Sequence, residues 1–379
     1  MTFRNPNKRI GIYYDRIEAN AEYHDKRFDT KYLDTFYLGH KKEHNLGTVF
    51  SGQQIVVLGN GDKSKYDRES SDGVYNIDLK LKLKMRLKVG WAKPKFKPKF
   101  ECDLKVPLST AEIPSVIVFG DSSVDAGDNN FVDTIVKSNF QPYGRDFYDR
   151  RPTGRFSNGQ IATDFISEAL GIRSIIPAYL DPHYNMVDFV KGVSFASAGT
   201  GYDNLTSAIM SVIPLWKELE YYKEYQNKMR TYLGAEKASK VLMEALYLIS
   251  LGTNDFLENY YAFPLRSATH SIEQYENFLI GISRNFIIDL YNLGARKIAI
   301  TGLPPMGCLP LQRTESFFLG KICIESYNRV AREFNMKLQQ VVLSLNQELG
   351  GIRLVYSDIY NILSDIIKNP KSFGEFLVI

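Results

Sequence analysis

From Ile77 to Val89 the chain alternates without a slip. Ile77, Leu79, Leu81, Leu83, Met85, Leu87 and Val89 are apolar, while Asp78, Lys80, Lys82, Lys84, Arg86 and Lys88 are charged. On a helix a period of two would scatter the apolar set around the axis; on a strand it gathers that set on one face. This stretch therefore predicts a strand with one wet face. Ile10–Tyr14, Ile17–Tyr23 and Gln54–Leu58 are shorter strand candidates, separated by Asn, Gly and Asp turn signals. Together they predict an all-β antiparallel sandwich over the first part of the chain. The row of cations is read first as a device that keeps an exposed strand soluble and discourages edge pairing. Attraction to an anionic membrane surface is the second reading; no nucleic-acid partner is expected. No catalytic cluster is visible in this segment.

Beyond residue 114 the pattern becomes strands alternating with helices, which implies a parallel sheet covered on both faces. Val116–Phe119, Val193–Ala196, Ala245–Leu251, Lys297–Thr301 and Ile352–Tyr356 read as buried strands. Gln160–Leu170, Pro214–Leu233, Ile272–Leu293, Ser326–Leu349 and Asp358–Lys368 read as helices, several ended by glycine. Five strands with crossover helices predict a doubly wound sheet of flavodoxin type. Charge divides at the same place: residues 1–110 hold 22 Lys and Arg against 14 Asp and Glu, and the remainder 25 against 29. A chain of 379 residues also exceeds the usual size of a single core. Two domains are expected, 1–109 and 110–379, with residues 105–113 as a short linker. No apolar run reaches 18 residues, and the opening residues lack an apolar h-region, so neither a membrane helix nor a signal peptide is visible. The three cysteines fit no zinc spacing, and no metal or organic cofactor is expected.

Three of the predicted strands end in residues capable of chemistry. Val116–Phe119 runs into Gly120-Asp121-Ser122, Val193–Ala196 into Ser197-Ala-Gly-Thr-Gly201, and Ala245–Leu251 into Gly252-Thr-Asn-Asp255. Parallel strands deliver their carboxyl ends to one rim, so Ser122, Gly199 and Asn254 can converge. Acyl transfer needs a nucleophile and donors aimed at a developing oxyanion. Ser122 would supply the first. The backbone N–H groups of Ser122 and a glycine, with the Asn254 carboxamide, would supply the second. Each feature alone also has an ordinary reading. Gly-Asp-Ser can be a plain turn whose hydroxyl caps an amide, and Asn after Gly-Thr can be a turn former.

Two resemblances sharpen this reading. "NPNKRIGIYYDRIEANAEYHDKRF", "FYLGHKK", "GVYNIDLKLKLKMRLKVG" and "KFKPKFECDLKVPL" resemble the plant late embryogenesis abundant group 2 domain of the hairpin-induced-like kind, over residues 1–109. That resemblance implies an immunoglobulin-like sandwich, no enzymatic activity, a role in stress or defence signalling, and a membrane anchor that would precede Met1. "FGDSSVDAGDNN", "RPTGRFSNGQIATDFI", "GVSFASAGTGYD", "SLGTND", "GARKIAITGLPPMGCLP" and "CIESYNRVAREFNMKL" resemble the plant GDSL esterase/lipase family of SGNH hydrolases, over residues 114–374. It implies a carboxylic ester hydrolase with Ser122 as nucleophile and with Asn254 and a glycine, taken as Gly199, in the oxyanion hole. Its substrate would be a small acyl ester or lipid, and its location extracellular or at the plasma membrane.

In that family the base and its orienting acid come from a final Asp-x-x-His segment, which these 379 residues lack. The histidines present are His24, His40, His44, His183 and His270, none of them expected at the rim. The sequence therefore predicts a C-terminally truncated hydrolase fold that has its hole but not its base, with impaired turnover. The alternative is a non-enzymatic, membrane-associated stress or defence protein. Cys308 and Cys323 occur in family-like segments, and either a disulfide or two buried thiols fits them; Cys102 is left over. Asn204-Leu-Thr206 is an N-glycosylation sequon if the domain is secreted.

Overall fold

The computed structural model describes residues 2–48, 50, 60–72, 74–88, 93–107, 113–315, 323–370 and 373. The chain divides into two units, Met1–Thr110 and Ala111–Ile379.

In the first unit the alternating segment is a strand from Val74 to Lys88, with Leu79, Leu81 and Leu83 buried. In chain order the unit comprises β1 (Thr2–Arg4), β2 (Gly11–Tyr23), β3 (Lys26–Leu33), β4 (Phe36–Leu38), β5 (Glu43–Asn45), α1 (Asn60–Asp72), β6 (Val74–Lys88), β7 (Lys95–Phe96) and β8 (Lys99–Pro107). Antiparallel pairing runs β3-β2-β6-β7, with β4 on β2 and β8 on β6, and β1 pairs separately with β5. Ile12, Tyr14, Ile17, Leu38 and Leu83 form one apolar cluster of this unit.

Three expectations are corrected here. The two candidates Ile10–Tyr14 and Ile17–Tyr23 are one strand, β2, whose register slips between Tyr14 and Arg16. At the slip, Asp15 takes a two-pronged bond from Arg86 of β6, both contacts 2.7 Å, so the charged break is a bulge and not a turn. The unit is also not all-β, because the polar run Asn60–Asp72 is a helix. Its anchor is a carboxylate: Glu69 accepts from Tyr23 Oη at 2.8 Å and from Asn76 Nδ2. A helix held that way carries no apolar stripe, so periodicity could not reveal it. Finally, Lys105–Pro107 belong to β8, not to a linker. The candidate Gln54–Leu58 lies outside the described residues.

The second unit continues with β9 (Val116–Gly120), α2 (Ala162–Ala169), α3 (Met186–Phe189), β10 (Gly192–Ser194), α4 (Asn204–Met210), α5 (Leu215–Leu233), α6 (Ala235–Glu244), β11 (Leu246–Ser250), α7 (Ile272–Asn292), β12 (Lys297–Thr301), α8 (Pro310–Glu315), α9 (Glu325–Glu348), β13 (Arg353–Ser357) and α10 (Ile359–Lys368). All five strands are parallel in the order β10-β9-β11-β12-β13. This is the flavodoxin-type order, and it matches the expectation from the alternating pattern. Both sheet faces are covered. On β9, Ile117 and Phe119 join a large cluster with α5, α7 and α9, while Val116 and Val118 join Val124, Ile176 and Ala196. The run Val116–Phe119 shows no polar alternation for that reason. The helices α1, α3, α4, α6 and α8 and a π-helical turn at Asp255–Ala262 were not anticipated. Among the described residues, no helix is long and apolar enough to cross a membrane.

Candidate active site

The strand order reverses at β9, which has β10 on one side and β11 on the other, and the three predicted residues sit just past these strands. β9 ends at Gly120, with φ of +147°. A Cβ there would lie 2.3 Å from the Ser250 carbonyl oxygen, so only glycine lets β9 stay paired with β11 up to its last residue and then turn away. The turn is closed by the N–H groups of Val124 and Asp125, which donate to the Asp121 carbonyl at 3.1 and 2.9 Å. The Asp121 carboxylate caps it, accepting from the Ser123 N–H at 2.9 Å and the Ser123 hydroxyl at 2.7 Å. Capping thus falls to Asp121. Among the described residues, the Ser122 hydroxyl and N–H have no intramolecular hydrogen-bond partner.

Ser122 and Asn254 line one cleft of about 300 Å³. Leu251, Pro304, Leu309, Ile359 and Leu363 supply its apolar wall, and Ser123, Ser250, Thr253 and Thr301 its polar part. Asn254 is held from β10's side, where its Nδ2 donates to the Thr200 carbonyl at 2.9 Å. A carboxamide has two N–H donors, so one remains for the cleft. Gly199 does not line this cleft, but it adjoins Thr200 and adopts φ of +88°. Its loop is pinned twice: Asp125 Oδ2 accepts from the Ala198 N–H at 3.0 Å, and Asn129 Nδ2 donates to the Ala198 carbonyl at 2.9 Å. Among the described residues, the Gly199 N–H also has no intramolecular acceptor.

The residues that sequence reasoning missed are the carboxylates that hold these loops. Asp125 Oδ1 accepts from the N–H groups of Gly127 and Asp128 at 2.7 and 2.9 Å. Asp255 accepts from the N–H groups of Tyr202 and Asp203 at 2.7 and 3.0 Å and from the Thr206 hydroxyl at 2.6 Å. Gly201 makes room for it, because a Cβ would lie 2.3 Å from Asp255 Oδ1. Glu218 of α5 accepts from the Gly120 N–H at 3.0 Å, two residues before Ser122. All are buried. Burial pushes Asp121 and Asp125 up to about 6 and Asp255 up to about 7, against the opposing pull of their hydrogen bonds. It also pushes Glu218 well above the ordinary carboxylate range.

Among the described residues, no histidine lines the cleft. His183 is exposed, with Nδ1 2.8 Å from Asp181 Oδ1, and His270 Nδ1 lies 2.8 Å from the Thr269 hydroxyl. Of the two readings open for Cys308 and Cys323, the disulfide is the one present, and Cys102 is free and exposed. Among the described residues, no group of three or more His, Cys, Asp or Glu is placed to hold a metal ion.

The family described as GDSL-like lipase/acylhydrolase matches residues 116–374, and that described as late embryogenesis abundant protein matches residues 1–105. One GDSL esterase/lipase of Arabidopsis thaliana is 59% identical over 271 residues, covering 72% of this chain and 77% of the relative. A second from the same plant is 58% identical over 263 residues, covering 69% and 75%. Among solved structures, a catalytic mutant of an acetylxylan esterase from Geobacillus stearothermophilus aligns with a TM-score of 0.32 at 13% identity, over 67% of this chain and 80% of that one. That score is too low to carry an argument. The family match over most of the chain and the two relatives suffice: this protein belongs to the GDSL esterase/lipase family of serine ester hydrolases, with a late embryogenesis abundant segment at its N-terminal end.

Proposed function

We propose that the second unit, taken as residues 110–379, hydrolyses carboxylic esters with short or medium acyl chains. Ser122 Oγ attacks the ester carbonyl, and the alcohol leaves as the acyl-serine forms. Water then releases the acid. The N–H groups of Ser122 and Gly199 and the free N–H of Asn254 receive the oxyanion. The observation that carries this reading is that the Ser122 hydroxyl and N–H have no intramolecular partners among the described residues, and that Ser122 shares an apolar-walled cleft with Asn254. Attack also requires a base for the serine proton, and no histidine among the described residues lines the cleft. For these 379 residues we therefore expect slow turnover, reduced on the order of 10⁶-fold relative to a complete triad, with roughly 10³-fold over water remaining.

A fluorophosphonate probe and p-nitrophenyl acetate test both parts. Hydrolysis barely above buffer is expected, rising by orders of magnitude when a family-type Asp-x-x-His segment is appended, with the gain abolished by Ser122→Ala. Fast turnover without the appended segment, lost in Ser122→Ala, would refute the slow-turnover reading and direct attention to His183 and His270. The first unit, residues 1–109, is read as an immunoglobulin-like sandwich without catalytic function. The antiparallel pairing of β2, β3, β6 and β8 supports this. An extracellular setting is favoured by the Cys308–Cys323 disulfide.

A further inference from the structure

Away from the cleft, the second unit has a larger groove of about 620 Å³, walled by Leu215, Trp216, Leu219, Phe278, Ile282 and Phe286. Trp216 is 51% exposed, so half of its indole faces solvent at this groove. Asn204 also lines this groove, and Asn204-Leu-Thr206 is the one Asn-x-Ser/Thr sequence in the 379 residues. We infer that Asn204 carries an N-linked oligosaccharide, and that its first sugar lies against Trp216 and covers the groove.

The mount suits such a group. Asn204 is exposed, but the residues around it are fixed. Asp203, just before it, takes a two-pronged bond from Arg266 at 2.6 and 3.0 Å and a further bond from Asn259 at 3.1 Å. Thr206, just after it, is buried, donating to Asp255 at 2.6 Å and accepting from Asn259 at 3.1 Å. A sugar rooted on so rigid a base loses little further freedom when it settles on a neighbouring surface. The burial of Thr206 also sets the order of events, since its hydroxyl is available to a transferase only before the chain folds. The transfer joins Asn204 Nδ2 to C1 of the reducing-end sugar of a lipid-pyrophosphate-linked oligosaccharide. The C1–O bond breaks, the lipid pyrophosphate leaves with that electron pair, and one amide proton is lost to a base. The Cys308–Cys323 disulfide points to the oxidising compartment where such donors are found.

The chain has two tryptophans, Trp91 and Trp216, so in a Trp91→Phe background fluorescence reports Trp216 alone. The full chain, secreted by cultured plant cells from an added leader, is weighed intact and its fluorescence quenched with acrylamide. One oligosaccharide mass is expected, lost in Asn204→Gln and retained in Thr206→Ser, which keeps the hydroxyl for both the sequon and Asp255. Quenching of Trp216 should be roughly twofold weaker in the glycosylated protein than in Asn204→Gln, because a sugar against one face of the ring covers only part of its exposed surface. Trimming with an endoglycosidase that leaves only the first sugar should preserve the weaker quenching. An unmodified Asn204 in the secreted, folded protein would overturn the inference, and so would equal quenching with and without the sugar.

Discussion

The two units handle charge in opposite ways. In the first, acids and bases face each other across the wet side of a sheet: Lys80 meets Glu22 at 2.6 Å, Lys82 meets Glu18 at 3.1 Å, and Arg86 meets Asp15. In the second, buried acids from loops and helices alike accept backbone N–H groups of the loops or pair with a single arginine. The difference follows from where backbone groups find partners. Strands satisfy one another, so side chains on a ladder are free to serve solubility. The loops past β9, β10 and β11 have no ladder, and their buried N–H groups require side-chain acceptors. Charge on the sheet is decoration on a frame that already holds, whereas the buried acids that brace the loops are the frame.

Two arginines with the same two-pronged geometry give the sharpest test. Arg155 is 3% exposed and donates to Asp164 at 2.8 and 3.0 Å, and to the Ala126 and Ile176 carbonyls at 3.1 and 2.6 Å. Arg155→Met leaves Asp164 buried and unpaired, for an expected loss of about 3–5 kcal/mol. Arg86→Met removes a surface pair, and hydrogen exchange across β2 and β6 should be nearly unchanged. Equal losses from the two substitutions would break the comparison.

Next in size is Asp255→Ala, which strands the N–H groups of Tyr202 and Asp203 and the Thr206 hydroxyl. We expect about 3 kcal/mol of destabilisation by chemical denaturation, with Asp255→Asn recovering part of it. Glu218→Leu should cost less, roughly 1–3 kcal/mol, since it orphans only the Gly120 N–H. It should also slow fluorophosphonate labelling of Ser122, because Gly120 sets the turn. Glu218→Gln keeps an acceptor there and should retain most of the labelling rate. If Glu218→Leu labels as fast as the parent, Glu218 has no part in positioning Ser122.

The smallest expected effect is the pH dependence, and its sign differs between the units. The buried carboxyls Asp121, Asp125 and Asp255 have values raised to about 6, about 6 and about 7, so the folded state holds protons that the unfolded chain releases. Their contribution is fully present below the ordinary carboxylate range and is lost as pH rises through 6 to 7. Asp15 is lowered chiefly by its hydrogen bond from Arg86, and Glu18 chiefly by those from Asn20 and Lys82. Their contribution is present above the ordinary range and is lost as pH falls through the lowered values. Hydrogen exchange corrected for intrinsic rate should therefore show residues 113–315 more protected at pH 5.5 than at pH 8, while β2 and β6 weaken only under stronger acid. The same trend in both units would contradict the assignment of buried against solvated charge.

Much of this could be read from local pattern. The strict alternation at Ile77–Val89 settled a strand, because only a strand sorts a period of two onto faces. The unbroken run Val116–Phe119 settled a strand buried on both sides. The succession of strand and helix settled the parallel sheet, and because parallel strands share a rim, it also suggested that Ser122, Gly199 and Asn254 approach one another. Tertiary structure alone decided how that rim is held. Whether Asp125 or Asp255 is a solvated turn residue or a buried acceptor depends on which N–H groups arrive from loops tens of residues away, and no local period records that. The same holds for the polar helix α1, fixed by Glu69 to Tyr23 and Asn76, and for Gly120, whose need for hydrogen comes from a carbonyl on β11. Periodicity is a property of neighbours along the chain, whereas the partner of a buried polar group is a property of the fold.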